Sequence, residues 1–250
     1  MFTIFNIIKH QGKQYIPDVT KVTLPAYHPG KPHIENKLCS QNCNDCVQHC
    51  PVKAIDNSPL RIDLSKCVFC SDCENICPEK KIQFTPDFKI ASNTLENLVV
   101  TEGIINSTFF NPDIIRKEIK RCFGRSLKLR LVSNGSCNGC ELELNAAGNV
   151  NFDMGRYGIE FLASPRHCDG VVITGPLVKN SEQALELTYK AIPQPRIIIL
   201  VGACAISGGI FADSSALNRS FLDKYKPDLY IPGCPVHPLT FINGILELIK

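Results

Sequence analysis

A chain of 250 residues, of which 44% are hydrophobic, is long enough to bury the core of one large domain or two modest ones. Its net charge of +3 is too small for a dedicated nucleic-acid-binding protein, so we expect no nucleic acid among its partners. No apolar run approaches the roughly 18–20 residues of a membrane-spanning helix. Because the sequence also shows no export signal, we expect a reducing cytoplasm, where clusters among its 14 cysteines indicate metal rather than disulfides.

Residues 1–34 contain no metal-ligand motif and are interpreted as an N-terminal extension. Apolar residues near its start predict a short amphipathic helix, which we expect to pack against this protein's own domain or a partner: Phe2, Ile4, Phe5, Ile7 and Ile8. Prolines then predict an extended approach to the first cysteines: Pro17, Pro25, Pro29 and Pro32.

Residues 35–88 contain a duplicated cysteine motif, which predicts a small α+β, ferredoxin-like domain with two 4Fe-4S clusters. The second half repeats the first after 27 residues: Cys43, Cys46 and Cys50, then Cys70, Cys73 and Cys77. Each half ends in Cys-Pro, and the second is the C-x2-C-x2-C-x3-C-P run of bacterial two-cluster ferredoxins, whose fourth cysteine serves the other cluster. The ligands predicted for the first cluster are Cys39, Cys43, Cys46 and Cys77. The ligands predicted for the second cluster are Cys67, Cys70, Cys73 and Cys50.

The first cluster site departs from the usual run, because three residues instead of two separate Cys39 from Cys43. The insertion leaves open whether Cys39 ligates normally, and an altered geometry, an altered potential or a missing iron are the alternatives. Two cysteine quartets also suit tetrahedral zinc, which the duplication with crossed Cys-Pro ends disfavours.

Residues 89–124 are interpreted as a linker with one helix near 112–121, and residues 125–250 predict an α/β domain. Five short β-rich runs are predicted as strands: 127–132, 159–163, 170–174, 196–201 and 228–231. Helical patterns lie between or after several of them, most clearly at 181–191 and 239–250. Apolar strands alternating with helices indicate a parallel sheet covered on both faces, and we expect five strands in a flavodoxin-like order.

A third quartet of cysteines follows the predicted strands of this domain. Cys137 and Cys140 follow the first strand, Cys204 follows the fourth, and Cys234 follows the fifth. Because ligands of open α/β sheets bind at the carboxyl ends of the strands, we expect these four thiols to hold a third 4Fe-4S cluster. Glycines crowd the same loops, as tight turns and close backbone approach require: Gly135, Gly139, Gly202, Gly208, Gly209 and Gly233.

The segments around these cysteines resemble the proximal-cluster motifs of the small subunits of nickel–iron hydrogenases. They read Ser-Cys-Asn-Gly-Cys-Glu at 136–141, Gly-Ala-Cys-Ala-Ile-Ser-Gly-Gly at 202–209 and Ile-Pro-Gly-Cys-Pro at 231–235. The 20-kDa-type subunit of respiratory complex I is similar to the same segments. With the fused ferredoxin half, the chain most resembles the small, electron-transfer subunit of energy-converting, membrane-associated hydrogenases such as formate hydrogenlyase.

This resemblance implies that the catalytic nickel–iron site lies in a partner, the hydrogenase large subunit, and that the third cluster is its proximal relay. It also implies membrane-arm subunits, an electron donor or acceptor such as a ferredoxin or a dehydrogenase subunit, and a peripheral position on the inner face of the cell membrane. Related complex I subunits carry two adjacent cysteines where this chain has Cys137-x2-Cys140, which favours hydrogen chemistry. A complex I-like quinone oxidoreductase subunit and a ferredoxin-type adaptor are the alternatives.

The resemblance also implies roles for two residues near the third cluster. Glu141 is expected to help proton transfer at the subunit interface, and its alternative is a carboxylate that stabilises the first turn of a helix. Arg166 is expected to lie near the third cluster and raise its potential, and its alternative is a surface ion pair. Cys122 and Cys168 fit no quartet and are predicted to be small apolar residues.

Overall fold

The computed structural model describes residues 2–12, 14–40, 43–104 and 109–249 of the chain. Its first helix, α1 (Phe2–Gln11), confirms the helix expected at the start of the extension. The apolar side chains of α1 are 50% to 64% exposed: Ile4, Phe5, Ile7 and Ile8. At least half of each of these side chains is thus exposed, and their packing against this protein's own domain or a partner stays a prediction.

The segment after α1 runs over the C-terminal half without forming a helix or strand up to residue 31 in the part that the structure describes. Ile16 donates its backbone N–H to the Asn151 carbonyl at 2.9 Å. Val19 is fully buried, and its carbonyl accepts a hydrogen bond from the Asn243 side chain at 2.9 Å. The absence of a helix predicted from the prolines is confirmed for the described residues, but the segment makes turns at 18–21 and 25–28 instead of running fully extended.

Two small antiparallel sheets and two short helices form the ferredoxin half. Its elements are β1 (Pro32–Ile34), α2 (Asp45–Gln48), β2 (Ile55–Asn57), β3 (Leu60–Asp63), α3 (Asp72–Ile76), β4 (Ile82–Phe84) and β5 (Val99–Thr101). Strand β1 pairs with β4, and β3 lies between β2 and β5. Alternate residues of β3, Leu60 and Ile62, point into the core, as a strand with one solvated face requires. Because β5 comes from the predicted linker, the sheet extends beyond residue 88.

The connector contains a 3-10 turn and a separate helix where the sequence predicted one continuous helix. The turn spans Pro112–Ile114, and the helix α4 spans Lys117–Phe123. Between them Arg116 has an extended backbone, with ψ of 128°. Its guanidinium reaches the Asp228 carboxylate at 2.9 Å and the Arg196 carbonyl at 2.7 Å. These long-range contacts accompany the break in the helix.

Five parallel strands form the sheet of the C-terminal half, in the order β7-β6-β8-β9-β10. They are β6 (Leu127–Ser133), β7 (Ile159–Phe161), β8 (Gly170–Thr174), β9 (Ile197–Val201) and β10 (Leu229–Ile231). The helices of this half are α5 (Gly139–Ala147), α6 (Glu182–Ala191), α7 (Ala203–Ser207), α8 (Ser220–Lys224) and α9 (Pro238–Ile249). Five further 3-10 turns span Glu96–Leu98, Met154–Tyr157, Pro165–His167, Lys179–Ser181 and Gly209–Phe211. Counted within this half, the order is 2-1-3-4-5, which confirms the flavodoxin-like prediction.

Helices cover both faces of this sheet, so β8 and β9 are buried along their whole length. One face packs against α4, α5 and α9, and the other packs against α6, α8 and apolar side chains of the ferredoxin half. Such double coverage explains the continuous apolar runs of these strands. The third set of cysteines lies at the carboxyl ends of the strands, where Cys140 borders one of the two packed layers.

Among the described residues, no helix has the length and apolar character that crossing a membrane would require.

Candidate iron–sulfur sites

Four thiols meet at the carboxyl edge of the five-stranded sheet, beyond the ends of β6, β9 and β10. Cys140 lies in the first turn of α5, Cys204 lies in α7, and Cys137 and Cys234 lie in the adjoining loops. The thiols lie near one another. Negative charge on Cys234 or Cys204 raises the pKa of Cys140, and negative charge on Cys137 or Cys234 raises the pKa of Cys204. The structure thus brings the third predicted quartet together.

Burial is the main reason why the pKa values of Cys140, Cys204 and Cys234 are raised. Burial raises the pKa of Cys140 to about 12, and the charges of Glu141, Cys234 and Cys204 act in the same direction. Burial and the neighbouring Cys234 and Cys137 raise the pKa of Cys204 to about 11. Thiols of this kind become thiolates only when a cation binds them, so the pocket suits a thiolate-ligated metal group.

Glycines let the backbone approach these thiols closely. Gly202, between β9 and α7, has a φ of +90°, and a Cβ placed on it would lie 2.7 Å from the Cys140 sulfur. A Cβ on Gly209 would lie 3.0 Å from the Cys204 sulfur. These two glycines form part of the wall around the thiols, because a side chain at either position would crowd the sulfur of Cys140 or Cys204.

Glu141 joins the loop after β6 to the end of β8. Its carboxylate accepts hydrogen bonds from the Ser136 hydroxyl at 2.7 Å and from the Thr174 hydroxyl at 2.6 Å. Burial alone would raise the pKa of Glu141, but the hydrogen bonds from Thr174, Ser136 and Ser133 outweigh it and hold the pKa below its usual range. The structure therefore shows a carboxylate that braces the loop of Cys137 and Cys140, and its proton-transfer role stays a prediction.

Arg166 lies on the 3-10 turn Pro165–His167, between β7 and β8, and it is exposed. Within the described residues its guanidinium has no hydrogen bond or ion pair, so the surface ion pair considered as its alternative is not formed there. The expected effect of Arg166 on the third cluster stays a prediction. Of the two cysteines outside the quartets, Cys168 is buried and Cys122 is exposed on α4.

The second predicted quartet lines one cavity of the ferredoxin half. The cavity is bounded by apolar side chains and by Cys50, Cys67, Cys70 and Cys73. Burial raises the pKa of Cys67 to about 12, and the nearby Cys73, Cys50 and Cys70 act in the same direction. Cys50, from the first half of the motif, thus lies beside three cysteines of the second half, as the predicted crossing requires.

The first predicted quartet is assembled around Cys46. Burial raises the pKa of Cys46, and the nearby Cys77, Cys39 and Cys43 raise it further, so each of the other three thiols, including the exposed Cys39, lies near Cys46. Of the three residues that separate Cys39 from Cys43, Gln41 and Asn42 lie outside the described residues. That Cys39 acts as a ligand stays a prediction.

Backbone N–H groups point at the sulfurs of both ferredoxin quartets. Ala54 donates to the Cys50 sulfur at 3.2 Å, and Lys81 donates to the Cys77 sulfur at 3.3 Å. These donors occupy equivalent places in the repeat, four residues after each Cys-Pro cysteine. Hydrogen bonds of this kind stabilise thiolate charge, and they are among the protein's means of setting a cluster potential.

The donor sets fit cubane clusters. Each quartet offers four thiols in a partly desolvated pocket, which is the ligand set of a 4Fe-4S cluster. Within the part of the chain that the structure describes, no three or more His, Cys, Asp or Glu side chains form a group that could hold a single metal ion. A cubane distributes its four thiolates over four iron atoms, so its ligands stand further apart than those of a mononuclear site.

Two residues beside the quartets escaped the sequence analysis. Thr174 fixes Glu141 from a strand that is remote in the sequence, so only the strand order reveals the contact. Lys81 reaches the Cys39 sulfur with its ammonium group at 3.8 Å. The sequence shows that Lys81 lies just after Cys77-Pro78, but it does not show that the Lys81 side chain is buried.

Comparisons with known proteins identify both halves. Residues 137–248 match the family described as NADH ubiquinone oxidoreductase, 20 Kd subunit, and residues 31–80 match the 4Fe-4S dicluster domain. The chain is 37% identical over 130 residues to the probable membrane-bound hydrogenase subunit mbhJ of Pyrococcus furiosus, covering 52% of this chain and 77% of that protein. It is 42% identical over 111 residues to an NADH-quinone oxidoreductase subunit of Heliobacterium modesticaldum, covering 44% of this chain and 63% of that protein.

Among solved structures, a chain of the membrane-bound sulfane sulfur reductase, an archaeal respiratory membrane complex, aligns with a TM-score of 0.44 and 32% identity. That alignment covers 50% of this chain and 70% of the other.

Proposed function

This chain belongs to the family of the 20-kDa subunit of NADH:ubiquinone oxidoreductase, joined to a 4Fe-4S dicluster domain, and we propose that it is the electron-transfer subunit of a nickel–iron hydrogenase. It is an oxidoreductase subunit of a family that carries iron–sulfur clusters. One observation supports the hydrogenase proposal. The carboxyl edge of the sheet gathers four thiols, and the Cys137-x2-Cys140 spacing of two of them resembles that of hydrogenase small subunits.

We assign three 4Fe-4S clusters to the three quartets. The first is held by Cys39, Cys43, Cys46 and Cys77. The second is held by Cys67, Cys70, Cys73 and Cys50. The third is held by Cys137, Cys140, Cys204 and Cys234. Bound there, such clusters supply one-electron transfer, while the chain itself provides thiolate ligands, backbone N–H donors and apolar walls that limit the access of water.

The proposed partners follow from this assignment. The nickel–iron site belongs to a large subunit that docks against the edge holding the third quartet. Membrane-arm subunits and a ferredoxin or dehydrogenase subunit complete the assembly, on the inner face of the cell membrane. The name of the Pyrococcus relative, a probable membrane-bound hydrogenase subunit, supports this arrangement.

A quinone-linked complex is the second candidate, and the identity of 42% to the Heliobacterium NADH-quinone oxidoreductase subunit favours it. The two candidates differ in the partner large subunit, because a nickel site needs cysteine pairs that a quinone site does not. The nickel content of the native complex therefore separates them.

The test uses the native complex isolated through this chain from gently solubilised membranes. We expect stoichiometric nickel and hydrogen-dependent reduction of a dye. The variant Cys234→Ser should lose the EPR signal of the third cluster and most of the dye reduction, while the two ferredoxin signals remain. Abundant iron without nickel or hydrogen-dependent activity in an assembled complex would instead favour the quinone-linked candidate.

A further inference from the structure

A buried cation lies beside the first quartet. The Lys81 side chain is 4% exposed, and its ammonium group lies 3.8 Å from the Cys39 sulfur. Its backbone N–H donates to the Cys77 sulfur at 3.3 Å. One residue thus contacts two of the four thiols, including the one whose spacing is irregular.

The ammonium group has a counter-ion on its other side. Lys81 forms an ion pair with Glu102, which follows β5, and the other carboxylate oxygen of Glu102 accepts the Leu60 backbone N–H at 3.3 Å. The ion pair therefore fixes the ammonium between Cys39 and the three-stranded sheet. Since burial limits screening by water, the charge of Lys81 acts more strongly on the first quartet than a surface charge would.

The second quartet has an alanine where the first has this cation. Ala54 occupies the matching place in the repeat, and its N–H bond to Cys50 has nearly the same length as that of Lys81 to Cys77. The pseudo-symmetric halves therefore share the backbone donor and differ in the side chain. This difference distinguishes two sites whose ligands are otherwise alike.

We propose that Lys81 is a positioning and tuning residue of the first cluster: it holds Cys39 in the quartet and raises the reduction potential of that cluster, while Glu102 moderates the effect. Reduction adds negative charge to a cluster, and a nearby ammonium stabilises that added charge. The inference rests on the proposed function, because it requires a 4Fe-4S cluster at the first quartet.

The test is an EPR-monitored redox titration of the full complex. The signal of the first cluster is defined as the one that Cys43→Ser removes. We expect Lys81→Met to shift the midpoint potential of this signal downward, and Glu102→Gln to shift it upward, because the second variant leaves the ammonium unbalanced. A purely structural role would not produce opposite shifts. The matched control is Lys80→Met, which removes an adjacent exposed lysine and should leave the potential unchanged.

The outcomes separate this inference from the proposed function. If the wild-type complex shows no signal that depends on Cys43, the assignment of the first cluster fails. If the signal is present and neither variant moves it, or both move it in the same direction, the role of Lys81 is overturned. If Lys81→Met loses the cluster altogether, the Glu102→Gln variant decides the question, because it keeps the lysine. An upward shift of the midpoint potential in Glu102→Gln then supports the inference, and an unchanged midpoint potential refutes it.

Discussion

At the scale of single residues, Gly202 shows how closely the backbone is built around a thiol. Its φ of +90° lies in a region that residues other than glycine rarely adopt, and a Cβ there would lie 2.7 Å from the Cys140 sulfur. Both effects disfavour any other residue. The smallest substitution therefore tests whether Cys140 must stay where the structure places it.

We expect Gly202→Ala to lose the third cluster while the ferredoxin clusters remain, because the added methyl group displaces the Cys140 sulfur. Bound iron should fall by about one third, since each cubane holds four iron atoms. Iron analysis and EPR of the reduced protein measure this. Gly148→Ala is the control, because Gly148 has a φ of −86° and a Cβ there would meet nothing closer than 3.5 Å. Retention of full iron by Gly202→Ala would contradict the assigned role of Cys140.

At the same scale, the sequence predicts which cysteines come together better than it predicts the residues that contact them. Cysteine spacing alone suggested the crossed ferredoxin quartets, which the structure brings together, because one loop wraps several corners of a cluster. The contacts of Glu141 with Thr174 and of Lys81 with Glu102 join residues more than 20 positions apart. Such pairs depend on strand order, which local patterns specify only indirectly.

At the scale of elements, the connector is held between α9 and the edge strand β10. Ser92 exchanges two backbone hydrogen bonds with Tyr230, at 2.9 and 2.7 Å, and Ala91 packs against Gly244 of α9. A contact of one residue with a sheet edge has no sequence pattern of its own, so the linker interpretation missed it. Conversely, long apolar periodicity predicted α6 and α9 to within a residue or two.

Gly244→Ala tests the packing of α9 against the connector. Alanine improves helix propensity by about 1 kcal/mol, but its Cβ would lie 2.6 Å from that of Ala91, and overpacking of this kind costs about 1–3 kcal/mol. We therefore expect lower stability, measured as the denaturation midpoint of the cluster-loaded protein. The double variant with Ala91→Gly should regain stability relative to Gly244→Ala. A higher midpoint for Gly244→Ala alone would show that the connector moves away from α9 without cost.

At the scale of the whole molecule, the second quartet lies on the side of the ferredoxin half that approaches the third. Lys53, three residues after Cys50, lies 3.9 Å from Asp213, in the segment that follows Cys204 and α7. These side chains are 88% and 97% exposed, so the pair marks proximity and adds little stability. One apolar core contains Cys67 and residues of α7, and both Cys50 and Cys46 pack against it. From the contact of Lys53 with Asp213 we infer that the second quartet lies between the third and the first.

This order predicts which clusters interact magnetically. Removing the second cluster with Cys67→Ser should slow the spin relaxation of the third-cluster EPR signal, because its nearest paramagnetic neighbour is lost. Removing the first cluster with Cys43→Ser should leave that relaxation close to the wild-type value, because the second cluster still stands between them. Pulsed EPR on the reduced complex measures both, and iron analysis checks that each variant has lost a single cluster. If Cys43→Ser slows the relaxation and Cys67→Ser does not, the first quartet lies next to the third. The buried Lys81 would then lie beside the middle cluster of the relay instead of the outer one.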